Sequence, residues 1–363
     1  MRRGPNWSVR VRVHFRGQMN RIAIDLFSGS GGVTAGLKAA GWEVVCAVDN
    51  DPVASSTYRA NHPEVEFIED GIEKRSTAKA VVRVVAGREI DLLIVCAPCQ
   101  PFSSQNRKRG NDPREQLILK SVSLINRVRP RLIFFENVPG LVSPSYRPVL
   151  EALRQRLRRL GYWMTEPQVK DAADFGVPQR RRRCIMLAAR SKAALDAFQA
   201  VRPSVSRRSV YDAISRLLPL ESGEAHPTDP LHKARTHSEI ALRRLIHIPR
   251  DGGSRKSLPA ELELACHVGS NAFPDVYGRM AWHDVAPTLT TGCNDVTKGR
   301  YGHPDQHRAI TLREAARLQS FDDSYVFEGN GSEIARQIGN AVPPAMIAEL
   351  SAAFEAALMD TVK

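Results

Sequence analysis

Between Ile22 and Ala188, short apolar runs alternate with longer stretches of helical periodicity, and this alternation constrains the fold more than any other feature. Ile22–Phe27, Glu43–Val48, Val65–Ile68, Asp91–Val95, Leu132–Phe135 and Arg183–Ala188 read as strands, being short, apolar and rich in β-branched or aromatic residues. Between them Val33–Ala40, Pro52–Asn61, Thr77–Ala86, Glu115–Val128 and Tyr146–Leu160 read as helices, the last two ended by Pro130 and Gly161. Parallel neighbours in a sheet need crossover connections of this kind. The pattern therefore predicts an α/β fold with a doubly wound, mostly parallel sheet.

After Arg190 the rhythm breaks. As far as Asp305 the chain is rich in Pro, Gly, His and Arg, with only short helical patterns at Arg207–Leu217 and Ser238–His247. Helices return at Leu312–Gln319, with Thr311 as N-cap, and at Pro343–Leu358, where two prolines occupy the first turn. The expected organisation is a catalytic and cofactor-binding domain from residues 19–190 plus 306–363, and a smaller, loop-rich domain at 191–305. Residues 1–18 lack the patterning that starts after Met19. They read as a poorly ordered leader, which makes Met19 a candidate natural start.

Charge narrows the partners. Lys+Arg 52 against Asp+Glu 39 gives +13, an excess that suits a polyanion because each phosphate contact releases counterions. Six dispersed cysteines do not form a secreted disulfide framework, no apolar core follows the basic N-terminus as in a signal peptide, and no apolar run is long enough to span a membrane. A cytoplasmic protein is expected.

The first loop, D-L-F-S-G-S-G-G, puts Gly29, Gly31 and Gly32 between a strand and a helix, where glycine allows a tight turn and close approach of a ligand. A dinucleotide fingerprint would end in glycine where this chain has Thr34, so a nucleoside-type cofactor fits better than NAD. Asp49 ends the second strand, where carboxylates bond ribose hydroxyls, and Asp70 follows the third, placed to accept from an adenine amino group. All three features fall on the ligand edge of one sheet.

On that same edge lies V-C-A-P-C-Q-P-F-S-S. Cys96 and Cys99 form C-x-x-C, but Pro98 and Pro101 flank Cys99 and no helix starts there, as a thioredoxin-like redox pair requires. For zinc, Cys266, His267, Cys293, His303 and His307 are the available partners, and none forms a second knuckle. A single nucleophilic thiolate remains. F-F-E-N-V-P-G supplies Glu136 at another strand end, where desolvation favours the protonated acid, and V-P-Q-R-R-R-R-C places arginines beside an apolar strand, some of them pointing inward.

The blocks D-L-F-S-G-S-G-G, A-P-C-Q-P-F-S, F-E-N-V-P-G, P-Q-R-R-R-R, A-P-T-L-T-T and G-N-A-V-P-P, in this order over residues 21–358, resemble the DNA cytosine-5 methyltransferases. The resemblance implies a Rossmann-like fold dependent on S-adenosyl-L-methionine, with the 191–305 segment as a target-recognition domain for double-stranded DNA. Cys99 would attack C6 of a flipped-out cytosine, Glu136 would protonate N3, and Arg181 and Arg183 would hold the loop, the base or its phosphates. Phe27 would stack on adenine, with Ser28, Gly29, Gly31, Gly32, Asp49, Asn50, Asp70, Gly71, Ile72, Pro98, Asn340 and Val342 completing the cofactor site. Gln100, Ser103, Gln179 and Thr290 would contact DNA, and Arg250, Arg255, Lys256 and Arg279 are candidate readers in the loop-rich region. No metal is called for. A monomer is expected, acting as a restriction-modification or orphan methylase, with a cognate endonuclease as a further partner. Two departures leave the catalytic groups untouched: Asp49 stands where many members have Glu, and Gly71 separates Asp70 from Ile72.

Overall fold

A computed structural model of the chain describes residues 21–98, 116–264 and 273–360. These divide into two compact units. The sheet unit takes residues 21–98, 116–175, 182–205 and 342–360; the loop-rich unit takes 176–181, 206–264 and 273–341.

The sheet unit alternates as the sequence predicts: β1 (Ile22–Leu26), α1 (Gly32–Ala39), β2 (Glu43–Asp49), α2 (Pro52–Asn61), β3 (Glu66–Glu69), α3 (Arg75–Val84), β4 (Leu92–Val95), α4 (Leu117–Val128), β5 (Leu132–Asn137) and α5 (Arg147–Arg159). Two short antiparallel strands unmarked in the sequence follow, β6 (Trp163–Met164) and β7 (Gln168–Asp171), then β8 (Arg182–Ala189) and a further helix α6 (Lys192–Ala200). The sheet order is β3-β2-β1-β4-β5-β8-β6, with β7 also pairing β8. From β3 to β5 every pairing is parallel, whereas β8 runs antiparallel to β5, placing Glu136 opposite Ile185. The order reverses between β1 and β4, and in open α/β sheets ligands bind at the strand C-termini beside such a switch point.

Apolar side chains of β1, β4, β5 and β8 share one core with α3, α4 and α5, including Ile24, Leu93, Phe135, Val81, Ile125 and Leu153. The opposite face is covered by α1, α6 and the C-terminal helix α11 (Pro344–Met359). There Phe134 meets Phe354 edge-on at 5.1 Å, and Phe198 stacks on Phe354 at 5.9 Å. Trp42 Nε1 donates to Ser351 Oγ at 2.7 Å.

Close approach of α1 to α11 requires glycine at position 36. A Cβ there would lie 2.4 Å from the Pro344 carbonyl oxygen and 2.7 Å from Ile347 Cβ. The oxygen belongs to backbone and cannot swing aside, so overpacking outweighs the ~1 kcal/mol of helix propensity that alanine brings. Gly36→Ala is expected to lose stability, by up to about 2 kcal/mol net, read from the urea midpoint.

The loop-rich unit contains α7 (Val210–Ile214), α8 (Glu239–His247), α9 (Leu312–Leu318) and α10 (Gly331–Asn340), of which the sequence reading lacked α10. Buried arginines organise its loops. Arg308 makes a bidentate pair with Glu314 at 2.8 Å for each bond, and Glu314 also closes the capping box with Thr311. Burial alone would raise the Glu314 pKa, but the hydrogen bonds and charge of Arg308 hold it down to about 2.

Residues 331–359 are apolar enough by length and composition to cross a membrane. They form two helices broken at 341–343, and 61% of the most apolar window is buried inside the fold.

Candidate active site

The loop after β1 starts in strained backbone. Phe27 has φ 60°, Gly29 φ 53° and Gly31 φ 90°, so the chain turns through left-handed conformations that glycine adopts without cost. Ser28 N–H donates to the Val48 carbonyl at 3.1 Å, Gly29 N–H to Asp49 Oδ2 at 2.8 Å and Asp51 N–H to Asp49 Oδ1 at 2.9 Å. Asp49 thus joins the ends of β1 and β2. Burial raises its pKa, and these backbone donors oppose the shift.

A cavity of about 270 Å³ opens beside this loop, lined by Phe27, Val48, Asp49, Asn50, Asp70, Gly71, Ile72, Glu73, Pro98, Leu117 and Lys120. It brings together seven of the residues expected to hold the cofactor. Val48, Glu73, Leu117 and Lys120 were not anticipated, because no motif marks them. Ser28, Gly31 and Gly32 are buried in the turn behind it. Asn340 ends α10 and is exposed, and Val342 is buried ahead of α11.

Asp70 is already heavily engaged. It takes Gly71 N–H at 2.8 Å, Lys74 Nζ at 2.5 Å and the Ser76 and Thr77 hydroxyls at 3.0 and 3.1 Å. Lys74 foremost, then Gly71, draws its pKa down to about 2. An adenine amino group would have to share this carboxylate with four donors. Gly71 is fixed by space, since a Cβ there would lie 2.5 Å from Glu73 Oε1.

Beneath the loop lies Asp25, fully buried on β1. Its Oδ2 accepts from Thr34 Oγ1 at 2.9 Å, Thr34 Oγ1 is 2.7 Å from the Tyr58 hydroxyl, and its Oδ1 has no hydrogen-bond partner. Burial lifts its pKa from 3.8 to about 7; Thr34 opposes the shift and Asp49 adds to it. A carboxyl raised on folding stabilises below its unfolded pKa and loses that contribution as pH rises through its folded pKa. Asp25→Asn keeps an acceptor and cannot ionise. It is expected to gain on the order of 2–4 kcal/mol over wild type as pH rises from about 4 to about 7, read from thermal melts across that range.

Cys99, Gln100 and Ser103 lie outside the described residues. The chain leading to them is anchored: Asn137 Nδ2 donates to the Ala97 carbonyl at 3.0 Å, tying the end of β4 to the end of β5. Asn137 stands in F-E-N-V-P-G and was assigned no role from sequence. The Cys96 thiol is pushed well above its ordinary pKa, first by burial and then by the charge of Glu136, so it is a poor source of thiolate.

Glu136 is buried at the end of β5, with Arg183 Nε 2.8 Å from its Oε1. That oxygen has no well-aligned hydrogen bond, which leaves capacity on a buried carboxylate for a substrate donor. Arg183 Nη1 donates to the Arg182 carbonyl at 2.8 Å. The pair exists because β8 runs back alongside β5.

Other expected contacts resolve differently. Arg181 is buried in the loop-rich unit, donating to the carbonyls of Leu289, Gly339 and Ala341 at 3.2, 2.9 and 2.8 Å. It therefore holds backbone there. Gln179 is fully buried: its amide donates to the Leu318 carbonyl at 3.3 Å and to Gln319 Oε1, and accepts from Leu289 N–H at 3.0 Å. Arg279 is fully buried on the carbonyls of Ile248, Leu245, His303 and Gln306, and burial lowers its pKa to about 10. Gln179, expected to contact DNA, and Arg279, expected to read bases, are corrected to framework roles, because both are fully buried on groups of their own fold. Arg255 is also buried, with Nε on the Phe273 carbonyl at 3.4 Å. Thr290 is half-buried against the Tyr301 hydroxyl, and Arg250 and Lys256 are exposed.

A switch point at β1 and β4, a glycine turn and a cavity with carboxylates mark the strand C-terminal edge of this α/β fold as the place for a ligand. The C-5 cytosine-specific DNA methylase family matches residues 22–355. The Type II methylase M.HgiDII of Herpetosiphon aurantiacus is 38% identical over 339 residues, covering 89% of this chain and 92% of the relative. M.XorII of Xanthomonas oryzae, a Type II methyltransferase, is 32% identical, covering 89% and 82%. Among solved structures, a protein encoded within an E. coli prophage superposes with a TM-score of 0.72 at 23% identity, covering 94% of this chain and all of that one. The S. pombe Dnmt2 methyltransferase does so with a TM-score of 0.60 at 20% identity, covering 94% and 99%. The chain belongs to the C-5 cytosine-specific DNA methylases and is a DNA cytosine-5-methyltransferase.

Proposed function

We propose that this enzyme methylates C5 of cytosine within a specific sequence of duplex DNA, using S-adenosyl-L-methionine, through a covalent bond from Cys99 to C6. The observation that carries the reading is the convergence, at one sheet edge, of the cavity wall at Pro98 with the buried Glu136–Arg183 pair. The donor set suits the cofactor: an aromatic face at Phe27, a carboxylate at Asp49 able to take ribose hydroxyls and a second carboxylate at Asp70. When bound, S-adenosyl-L-methionine supplies an electrophilic methyl group.

The protein's own residues make the base able to accept it. A cytosine ring resists addition, so the Cys99 thiolate needs Glu136 to hold a proton at N3, which draws electron density toward N3 and makes C6 electrophilic; the sulfur–C6 bond forms as the C5–C6 double bond breaks, leaving an enamine that is nucleophilic at C5. Arg183 fixes the Glu136 carboxyl in place. A solvent base takes the C5 proton, the C5–C6 double bond re-forms as the C6–sulfur bond breaks and the Cys99 thiolate leaves, and the N3 proton returns to Glu136, which restores the aromatic ring and the free enzyme. The base must leave the duplex to reach this edge. The 191–305 segment is taken as the target-recognition region, with Arg250 and Lys256 its exposed candidate contacts. The relatives named as Type II methylases support a restriction-modification or orphan modification enzyme. We take it to be cytoplasmic and monomeric, with a cognate endonuclease as a further partner.

The test is trapping. Duplex DNA with 5-fluorocytosine at the target cannot lose a proton from C5, so purified enzyme with cofactor should form a stable protein–DNA adduct whose peptide contains Cys99. An adduct on another residue, or labelled methyl transfer without any adduct, would overturn the covalent reading.

A further inference from the structure

On the sheet unit, α3, α4 and α5 enclose a second and larger groove, of about 600 Å³. Its walls carry Lys74, Arg75, Lys120, Arg127, Arg156 and Arg159, against one carboxylate, Glu73. Lys74 is committed to Asp70, and Arg156 Nη1 donates to the Leu119 carbonyl at 3.3 Å. Arg75, Lys120, Arg127 and Arg159 are exposed and pair with no carboxylate among the described residues. Elsewhere in the same unit, exposed arginines do find such partners, as in Arg59–Glu69 at 2.6 Å and Arg88–Glu43 at 3.0 Å.

Cations gathered in a concave site without counter-charges repel one another, and they suit a polyanion more than bulk solvent. Arginine predominates, and its planar fork matches phosphate oxygens while its aliphatic stem covers an apolar floor. Helix α5 contributes two of these cations, Arg156 and Arg159. The groove shares Ile72, Glu73 and Lys120 with the cofactor cavity, so it opens beside the reaction site.

We propose that this groove is a second, sequence-independent contact for the phosphodiester backbone of the substrate duplex, separate from the region that reads bases. The proposal rests on DNA being the substrate. It assigns the groove to affinity and search, since phosphate contacts set binding strength and its salt dependence but carry no sequence information directly.

The test combines Arg75→Gln, Arg127→Gln and Arg159→Gln, none of which lines the cofactor cavity. Each phosphate contact contributes a slope of about 0.9 to the fall of log K with log salt, so the triple variant should bind a long duplex with a slope shallower by about 2.7. Its kcat at saturating DNA and its preferred methylation site should match wild type, and the triple Arg→Lys variant should restore most of the slope. Single Arg127→Gln and Arg159→Gln variants, each expected to lower the slope by about 0.9, carry the test should the triple variant not fold. A slope equal to wild type would overturn the proposal, as would an altered methylation site or a lowered kcat. Wild-type protein that methylates no DNA would remove the underlying reading instead, a different result from a groove variant that binds like wild type.

Discussion

Cys99→Ser is expected to abolish methyl transfer, by about 10⁶-fold on the scale seen when covalent nucleophiles are deleted in other enzymes, while Cys96→Ser retains most activity. The two cysteines are three residues apart, and a redox pair would make both losses equal. Their environments differ. The Cys96 thiol is raised by burial and by Glu136, so it holds its proton at neutral pH, and its main-chain N–H donates to the Leu26 carbonyl at 3.3 Å. Serine is close to isosteric there. Initial rates with labelled cofactor on both variants, beside thermal melts, check the prediction; equal losses with intact folding would favour the dithiol reading.

The second large effect concerns Glu136. Glu136→Gln removes the proton donor while keeping an oxygen for Arg183, so kcat should fall about 10²–10⁴-fold with little change in cofactor binding. Arg183→Ala acts differently. It leaves a carboxylate buried without its cation, and breaking such a pair costs about 3–5 kcal/mol of stability in addition to activity. Single-turnover rates and urea midpoints separate the two variants. Similar stability losses in both, or an unimpaired rate in Glu136→Gln, would contradict the assigned roles.

The strand–helix alternation was legible because β1, β2, β4 and β5 are apolar runs bounded by turn residues, and their C-terminal loops carry the motifs. Elements without a strong pattern were not. Trp163–Met164 is two residues long, and Gln168–Asp171 is half-buried throughout, so neither shows an alternating face. Helix α10 was hidden by Gly331 and Gly339, although its Asn330–Glu333 capping box was a readable start signal. Gly339 is there because its missing Cβ admits the backbone of Thr290, a tertiary demand invisible in one sequence.

The site divides in the same way. Asp49 and Asp70 were legible from their places at strand ends on one edge, and the family resemblance added Phe27, Gly71 and Pro98; all five line one cavity. Partners that depend on a distant element could not be read. The Glu136–Arg183 pair needs β8 to run antiparallel to β5, and the Asn137 bond to Ala97 needs β4 and β5 to be neighbours. The run Arg180–Arg183 alternates exposed and buried, so a sequence reading found that some arginines point inward but could not say what they hold. Gln179 and Arg279 show why charge and polarity mislead on DNA contacts: a buried guanidinium or amide can be taken up by polar groups of its own fold.

The central claim is that this chain writes 5-methylcytosine into duplex DNA at one sequence. Bisulfite sequencing of DNA from a methylation-free host expressing the wild-type protein tests it most directly. The expected result is protected cytosines confined to a single short sequence context, absent when Cys99→Ser is expressed at the same level. Cytosines converted throughout, in cells where the folded protein is abundant, would contradict it.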